Sequence, residues 1–279
     1  MDIRMDDSTL MDARIAVIFG IGFDLDGLSD TIETPYGNVN AQLTNLKGKN
    51  AIFVSRHGKN HIPPHKVNYR AILWASRKSG ASRVISINTV GTMSYHQVGS
   101  FFLPLDFVEF TKARNNTFFD ERAMHVDMSQ PYCPELLSCL QDTMLELTIR
   151  PHKGVYVCAE GPHLESPAQI RMMRQFGEVV GMTGYPEVVL AKELGLCYAS
   201  LCIVTNEACG MKTGGRISLS EITQQMDLLS SSIKEIISRT ADKIPAKRSC
   251  SCGLECSELS FSARSDEHIL TDQGSRNKL

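Results

Sequence analysis

The chain has 279 residues, enough for one α/β domain with a tail. Apolar side chains make up 42% and charged ones 22%, with a formal net charge of -2, so no broad basic field exists for gripping nucleic acid, and a small-molecule partner is expected instead. Residues 1–12 are rich in aspartate, unlike a secretory signal, and no later run approaches the roughly 20 apolar residues of a membrane span, so no membrane partner and a cytoplasmic location are expected.

Apolar, β-rich runs alternate with stretches of helical period. Residues 14–19 read as a first strand, continuously apolar as in a sheet covered on both faces. It runs into Phe19-Gly20-Ile21-Gly22-Phe23, where glycines turn the chain and can aim amide N–H groups at an anion. A strand at 51–55 ends in Ser55-Arg56-His57-Gly58-Lys59-Asn60-His61, which concentrates cationic groups just after it. The period of Val67, Ala71, Trp74 and Ala75 predicts a helix over 67–79, stopped at Gly80. A strand at 83–88 leads into Asn88-Thr89-Val90-Gly91-Thr92, which offers amides and hydroxyls to the same oxyanion.

Further strands are expected at 105–110, 155–159, 179–182 and 197–205. Leu136, Leu140, Met144 and Leu147 predict a helix over 134–147 behind an N-terminal proline. Ser166-Pro-Ala-Gln169 is a capping box, a helix from Pro186 ends at Gly195, and Ser218-Leu-Ser-Glu221 opens a long helix through Ile237. From about Ala241 the periodicity fails, and residues 246–279 are polar enough to be expected mobile. The whole reads as a mainly α/β single domain over 13–244, with an N-terminal extension at 1–12 and a tail at 245–279.

In an α/β sheet ligands gather at the carboxyl ends of strands, so three anion-friendly strand ends point to a phosphate-binding site. Glu160-Gly161-Pro162-His163-Leu164-Glu165-Ser166 then adds a motif of another kind, together with Gly181-Met182-Thr183-Gly184-Tyr185-Pro186-Glu187-Val188-Val189-Leu190-Ala191-Lys192-Glu193. With Ser55-Arg56-His57-Gly58, Pro64-His65-Lys66-Val67-Asn68-Tyr69-Arg70-Ala71 and Thr205-Asn206, these resemble the purine nucleoside and methylthioadenosine phosphorylase family of the trimeric type, over about residues 13–240. The resemblance implies a mixed central sheet flanked by helices and a homotrimer, or a hexamer built as a dimer of trimers. It also implies phosphate-dependent cleavage of a purine nucleoside to free base and sugar 1-phosphate. Inorganic phosphate is then a co-substrate, and no cofactor or metal is expected.

Carried over residue by residue, the resemblance places Gly20, Ile21, Gly22, Arg56, His57, Asn88, Thr89 and Thr183 about the phosphate. Met182 falls along the ribose, Glu165 and Asn206 at the base, and Leu164 and Ala208 beside them. Leu219 and Ile222 fall at the sugar's 5' end, and His125 is expected to reach into a neighbouring subunit's site. A 6-oxopurine presents N1–H as donor and O6 as acceptor, so an ionised Glu165 accepts the first while the Asn206 amide donates to O6 or N7. Adenine-preferring relatives carry Asp at the positions matching Asn206 and Ala208, so hypoxanthine or guanine is favoured here. Apolar Leu219 and Ile222 favour a methylthio group over a 5' hydroxyl, which puts 5'-methylthioinosine first. A methylthioadenosine phosphorylase, a general inosine/guanosine phosphorylase, a nucleoside hydrolase and a non-catalytic nucleoside-binding protein remain as alternatives. Relatives usually offer a Ser or Thr hydroxyl where this chain has Ile21, so a high phosphate Michaelis constant that falls on Ile21→Thr is expected, with Thr89 as a compensating hydroxyl.

Of nine cysteines, Cys133, Cys139, Cys158, Cys197, Cys202 and Cys209 lie in or beside apolar segments and read as packed thiols. Cys250, Cys252 and Cys256 sit in the polar tail, where close spacing permits a disulfide, redox sensing or metal capture; an incidental role or a local disulfide is a stronger expectation than a metal site, since no histidine lies nearby.

Overall fold

The run Ile15–Phe19 forms strand β1, and all five of its side chains are buried. Alternation divides them: Ala16 and Ile18 face one core, Ile15, Val17 and Phe19 the other. A sheet with apolar groups on both faces must be covered on both, and the computed structural model of the protein shows that it is. The structure describes residues 15–20, 28–121, 123–211 and 217–253; Ile21, Gly22 and Cys256 lie outside them.

After β1 the described residues form β2 (Leu28–Thr34), β3 (Gly37–Leu46), β4 (Lys49–Ser55), α1 (Tyr69–Lys78), β5 (Arg83–Thr92) and β6 (Phe101–Phe110). Then come α2 (Pro134–Glu146), β7 (His152–Ala159), α3 (Pro167–Met173), β8 (Val179–Gly181), α4 (Gly184–Glu193), β9 (Cys197–Glu207) and α5 (Leu219–Lys243). The sheet order is β2-β3-β4-β1-β5-β8-β7-β6-β9, and β5 also pairs with β9. Strands β5, β8, β7, β6 and β9 therefore close into a ring from which β1, β4, β3 and β2 extend. Strands β1, β4, β5 and β9 are parallel, while β6, β7 and β8 run the opposite way. Helices α1 and α4 cover one face, α2 and α5 the other. This is a single-domain α/β fold with a mixed central sheet.

Both expected capping boxes are present: Ser166 with Gln169 opens α3, and Ser218 with Glu221 opens α5. Two expectations need correction. The β2–β3 hairpin escapes a search for apolar runs, because β3 fully buries only Val39 and Ala41 and its other residues are wholly or partly exposed. The start of the tail is not loose: Arg248 Nη1 donates to the Gly195 carbonyl at 2.6 Å, Ser249 N and Oγ donate to Glu135, and Cys252 is buried in the α2–α5 core. Few apolar side chains hold this segment, so composition alone misses it.

Candidate active site

The carboxyl ends of the parallel strands open onto one cavity of about 420 Å³, within the range of small-ligand sites. Gly20 follows β1, Arg56 and His57 follow β4, Thr89 to Gly91 end β5, and Thr205 and Asn206 end β9. Met182 and Thr183 arrive from β8, Glu165 precedes α3, and Leu219, Ile222 and Met226 project from α5. The pairing of β5 with β9 shifts register between Val90 and Gly91, at the cavity itself. A Cβ on Gly91 would stand 3.1 Å from Asn206 Nδ2, so the absence of a side chain there lets the Asn206 amide lie against the strand.

In the cavity wall, Arg56 and His57 meet beside Gly20: a Cβ on Gly20 would lie 3.4 Å from Arg56 Nη1 and 3.7 Å from His57 Nε2. Arg56 is buried and largely committed. Its Nε donates to Glu187 Oε1 at 2.5 Å, Nη2 to Ser86 Oγ at 2.6 Å and Glu187 Oε2 at 3.2 Å, and Nη1 to the Ile87 carbonyl at 3.2 Å. Burial works against its charge, but the adjacent Glu187 carboxylate outweighs it and pushes the guanidinium pKa up. Of five N–H donors, one on Nη1 is left for a ligand. The His57 Nδ1 lies 2.8 Å from the Ile62 carbonyl; a carbonyl only accepts, so Nδ1 carries the proton and Nε2 is turned to its other neighbours. Burial, and then the Arg56 charge, lower the His57 pKa, so the ring is neutral around pH 7.

Thr183 stands at the N-terminus of α4. Its hydroxyl donates to Asn88 Oδ1 at 2.7 Å, and the amides of Thr183 and Gly184 both donate to the Tyr156 hydroxyl at 3.2 Å. Gly184 permits that approach, since a Cβ there would be 2.9 Å from the Tyr156 ring. Asn88 itself does not line the cavity, contrary to expectation. Alternation along β5 turns Ile87 and Thr89 to one side and Ser86 and Asn88 to the other, where Asn88 Nδ2 donates to Ser86 Oγ at 3.1 Å and Ser200 Oγ at 2.5 Å. Asn88 thus holds Thr183 from behind.

Glu165 and Asn206 line the same cavity. Glu165 is buried in the cavity wall, and its Oε1 has no hydrogen-bond partner among the described residues. Burial raises its pKa, against smaller opposing effects of its own backbone amide and His163. Asn206 is fixed in orientation: Nδ2 donates to the Glu207 carbonyl at 2.9 Å and Oδ1 accepts from Thr205 Oγ1 at 3.0 Å. One Nδ2 proton is left over. Met182 lines it as well, and Pro162, Leu164, Ala208, Ile217, Leu219, Ile222 and Met226 make the remaining wall largely apolar. His125 is exposed on the stretch before α2 and lies outside this cavity.

Two groups with large structural parts were given no role from sequence. Glu187 is fully buried in α4 and accepts from Arg56, Ser86 Oγ at 2.7 Å and Tyr198 OH at 2.9 Å. Its signal in the sequence is an acidic residue among Tyr185, Pro186, Val188, Val189 and Leu190. Arg114 had none, standing in a polar stretch after β6. Its Nη1 donates to the carbonyls of Met182 and Tyr185 at 2.6 Å, its Nη2 to those of Ala159 and Glu160, and its Nε to Glu160 Oε1 at 3.1 Å. One guanidinium thus ties the end of β7 to the Met182 loop.

A family described as the phosphorylase superfamily matches residues 14–242. A probable S-methyl-5'-thioinosine phosphorylase of Methanosarcina acetivorans is 50% identical over 243 residues, 86% of this chain and 94% of that protein. A probable 6-oxopurine nucleoside phosphorylase of Dictyoglomus turgidum is 40% identical over 250 residues, 86% of this chain and 95% of that protein. Among solved structures, methylthioadenosine phosphorylase from Schistosoma mansoni in complex with adenine superposes with a TM-score of 0.83 at 25% identity, covering 91% of this chain and 99% of the other.

Proposed function

The chain belongs to the phosphorylase superfamily, and from that premise we propose that it splits the N-glycosidic bond of a 6-oxopurine nucleoside with inorganic phosphate. The substrate that fits best is 5'-methylthioinosine, giving hypoxanthine and 5-methylthioribose 1-phosphate. The observation that carries this reading is the pairing of an unpartnered, buried Glu165 oxygen with the spare Asn206 Nδ2 proton in one cavity. An ionised carboxylate accepts from N1–H of a 6-oxopurine and the amide donates to O6 or N7, whereas adenine offers an acceptor at N1 and a donor at C6. Names borne by the relatives agree with an oxopurine.

Phosphate belongs beside Gly20, on the Arg56 Nη1 proton and the hydroxyls of Thr89 and Thr183, with the unprotonated His57 Nε2 accepting from a P–OH of its monohydrogen form. With the Asn88 amide turned over, Nδ2 would face Thr183 and release the hydroxyl proton for phosphate. As the bond to the base breaks, the sugar gains positive charge, which the phosphate stabilises, while the Asn206 amide donates to the negative charge growing at O6 or N7 and Glu165 orients the base through N1–H. Apolar Ile217, Ile222 and Met226, and Leu219 although it is 75% exposed, suit a methylthio group, which needs no hydrogen-bond partner. A homotrimer is the proposed assembly, in which exposed His125 serves a neighbouring site. The chain works on free nucleosides, and among its described residues no helix is long and apolar enough to cross a membrane.

The deciding experiment offers methylthioinosine, inosine, guanosine, methylthioadenosine and adenosine, each with and without phosphate, and follows base release and the sugar product. Methylthioinosine should give the highest kcat/KM, with sugar 1-phosphate formed only when phosphate is present. Free ribose without phosphate would make the protein a hydrolase, and binding without turnover would make it a non-catalytic receptor.

A further inference from the structure

Four cysteines from three parts of the chain meet far from the cavity. Cys133 is the N-cap residue of α2, Cys197 opens β9, and Cys250 and Cys252 belong to the segment after α5. All four are free thiols, three are buried and Cys250 is half-buried. Their Sγ atoms all lie within 4.8 Å of one another, with Cys197 and Cys250 3.3 Å apart. Zinc bound to four thiolates at about 2.3 Å places the sulfurs of a tetrahedron about 3.8 Å apart, so the cluster is of the size that the ion requires. At 3.3 Å the Cys197 and Cys250 sulfurs are well beyond the roughly 2.05 Å of a disulfide, and all four thiols are free.

We propose that Cys133, Cys197, Cys250 and Cys252 bind a single zinc ion that fastens the segment after α5 to α2 and β9. A further observation favours it. The segment is held in register independently of its thiols, by Arg248 on the Gly195 carbonyl and Ser249 on Glu135, whose other oxygen accepts from Arg83. The frame that presents Cys250 and Cys252 therefore exists before a metal arrives. Cys197 and Asn206 stand at opposite ends of β9, about 30 Å apart at about 3.3 Å per residue, so the ion acts on stability and not on the reaction. All four ligands are thiolates and leave no open coordination position, as in structural rather than catalytic zinc sites.

The test is the metal content of the full chain, purified under reducing conditions, incubated with zinc and freed of excess. One zinc per chain is expected, with four thiols shielded from an alkylating reagent that react once a strong chelator is added. Cobalt in place of zinc should give the visible bands of tetrahedral tetrathiolate coordination. Cys250→Ser and Cys252→Ser should each lose the ion and melt at a lower temperature, while retaining turnover below that temperature. Cys139→Ser, in the same helix and outside the cluster, should keep the ion. Substoichiometric zinc, full zinc retention by both tail variants, or a disulfide between any two of the four in reduced protein overturns the proposal. Because the readout is metal content, its failure says nothing against the nucleoside reading.

Discussion

Glu165 sets the pH behaviour expected of the enzyme. Burial raises its pKa, so as pH falls through that raised value the carboxylate takes a proton and loses its ability to accept from N1–H. The acid limb of kcat/KM for methylthioinosine should therefore lie above the ordinary carboxylate range and flatten in Glu165→Gln. That variant should lose about 10- to 100-fold in kcat/KM, the worth of a hydrogen bond to a charged group. Stability should move the other way. A carboxyl whose folded pKa is raised contributes stability below its unfolded pKa and loses it as pH rises through the folded value. Glu165→Gln removes that loss, so its Tm should exceed the native one at neutral pH and converge with it in acid; a lower Tm throughout would show that Glu165 has a structural partner. Asn206→Asp tests the opposite edge of the base. Replacing the donor by an acceptor should move the methylthioadenosine-to-methylthioinosine ratio of kcat/KM toward adenine by about 10- to 100-fold, and an unchanged ratio would remove Asn206 from base reading.

At the scale of elements, the site depends on helix starts and on the loops they hold. Ser218 caps α5 with Glu221, and the first two turns of that helix carry Leu219 and Ile222 into the cavity. Ser218→Ala should cost about 1 kcal/mol of stability and raise KM for methylthioinosine more than for inosine, because fraying loosens the apolar 5' wall first. Denaturant midpoints and the two KM values check this together. Arg114 works through carbonyls at the end of β7 and in the Met182 loop. Its pairing with Glu160 and its caged geometry make Arg114→Met costly, about 3 kcal/mol or more, since several buried carbonyls and a carboxylate lose their donor at once.

For the whole molecule the decisive observation is that His125 is exposed and outside its own chain's cavity. If it completes a neighbour's site, mixed oligomers of His125→Ala and Glu165→Gln should be more active than either variant alone. Each His125→Ala chain keeps its own Glu165 and receives an intact histidine from its neighbour. No recovery after co-refolding, or a monomer by sedimentation, would end that account. The native particle is expected to sediment as a trimer or as a dimer of trimers.

Local information was enough for the parallel core strands, the capping boxes at Ser166 and Ser218, and the strand-end clusters that house Arg56, His57, Thr89 and Thr183, because each is written in a few adjacent side chains. That Glu165 and Asn206 line one cavity was also legible, through the motifs of the family, although 41 positions separate them in the chain. What the sequence could not decide were the partnerships between distant segments. Asn88 and Thr89 are neighbours, yet one braces the wall and the other lines it, which only the register of β5 against β9 settles. Glu187 meets Arg56 across 131 positions, Arg114 reaches carbonyls 45 to 71 positions away, and Cys250 reaches Cys197 across 53. Side-chain chemistry specifies what each group needs; closure of the sheet into a ring and packing of helices on its faces determine which remote group supplies it.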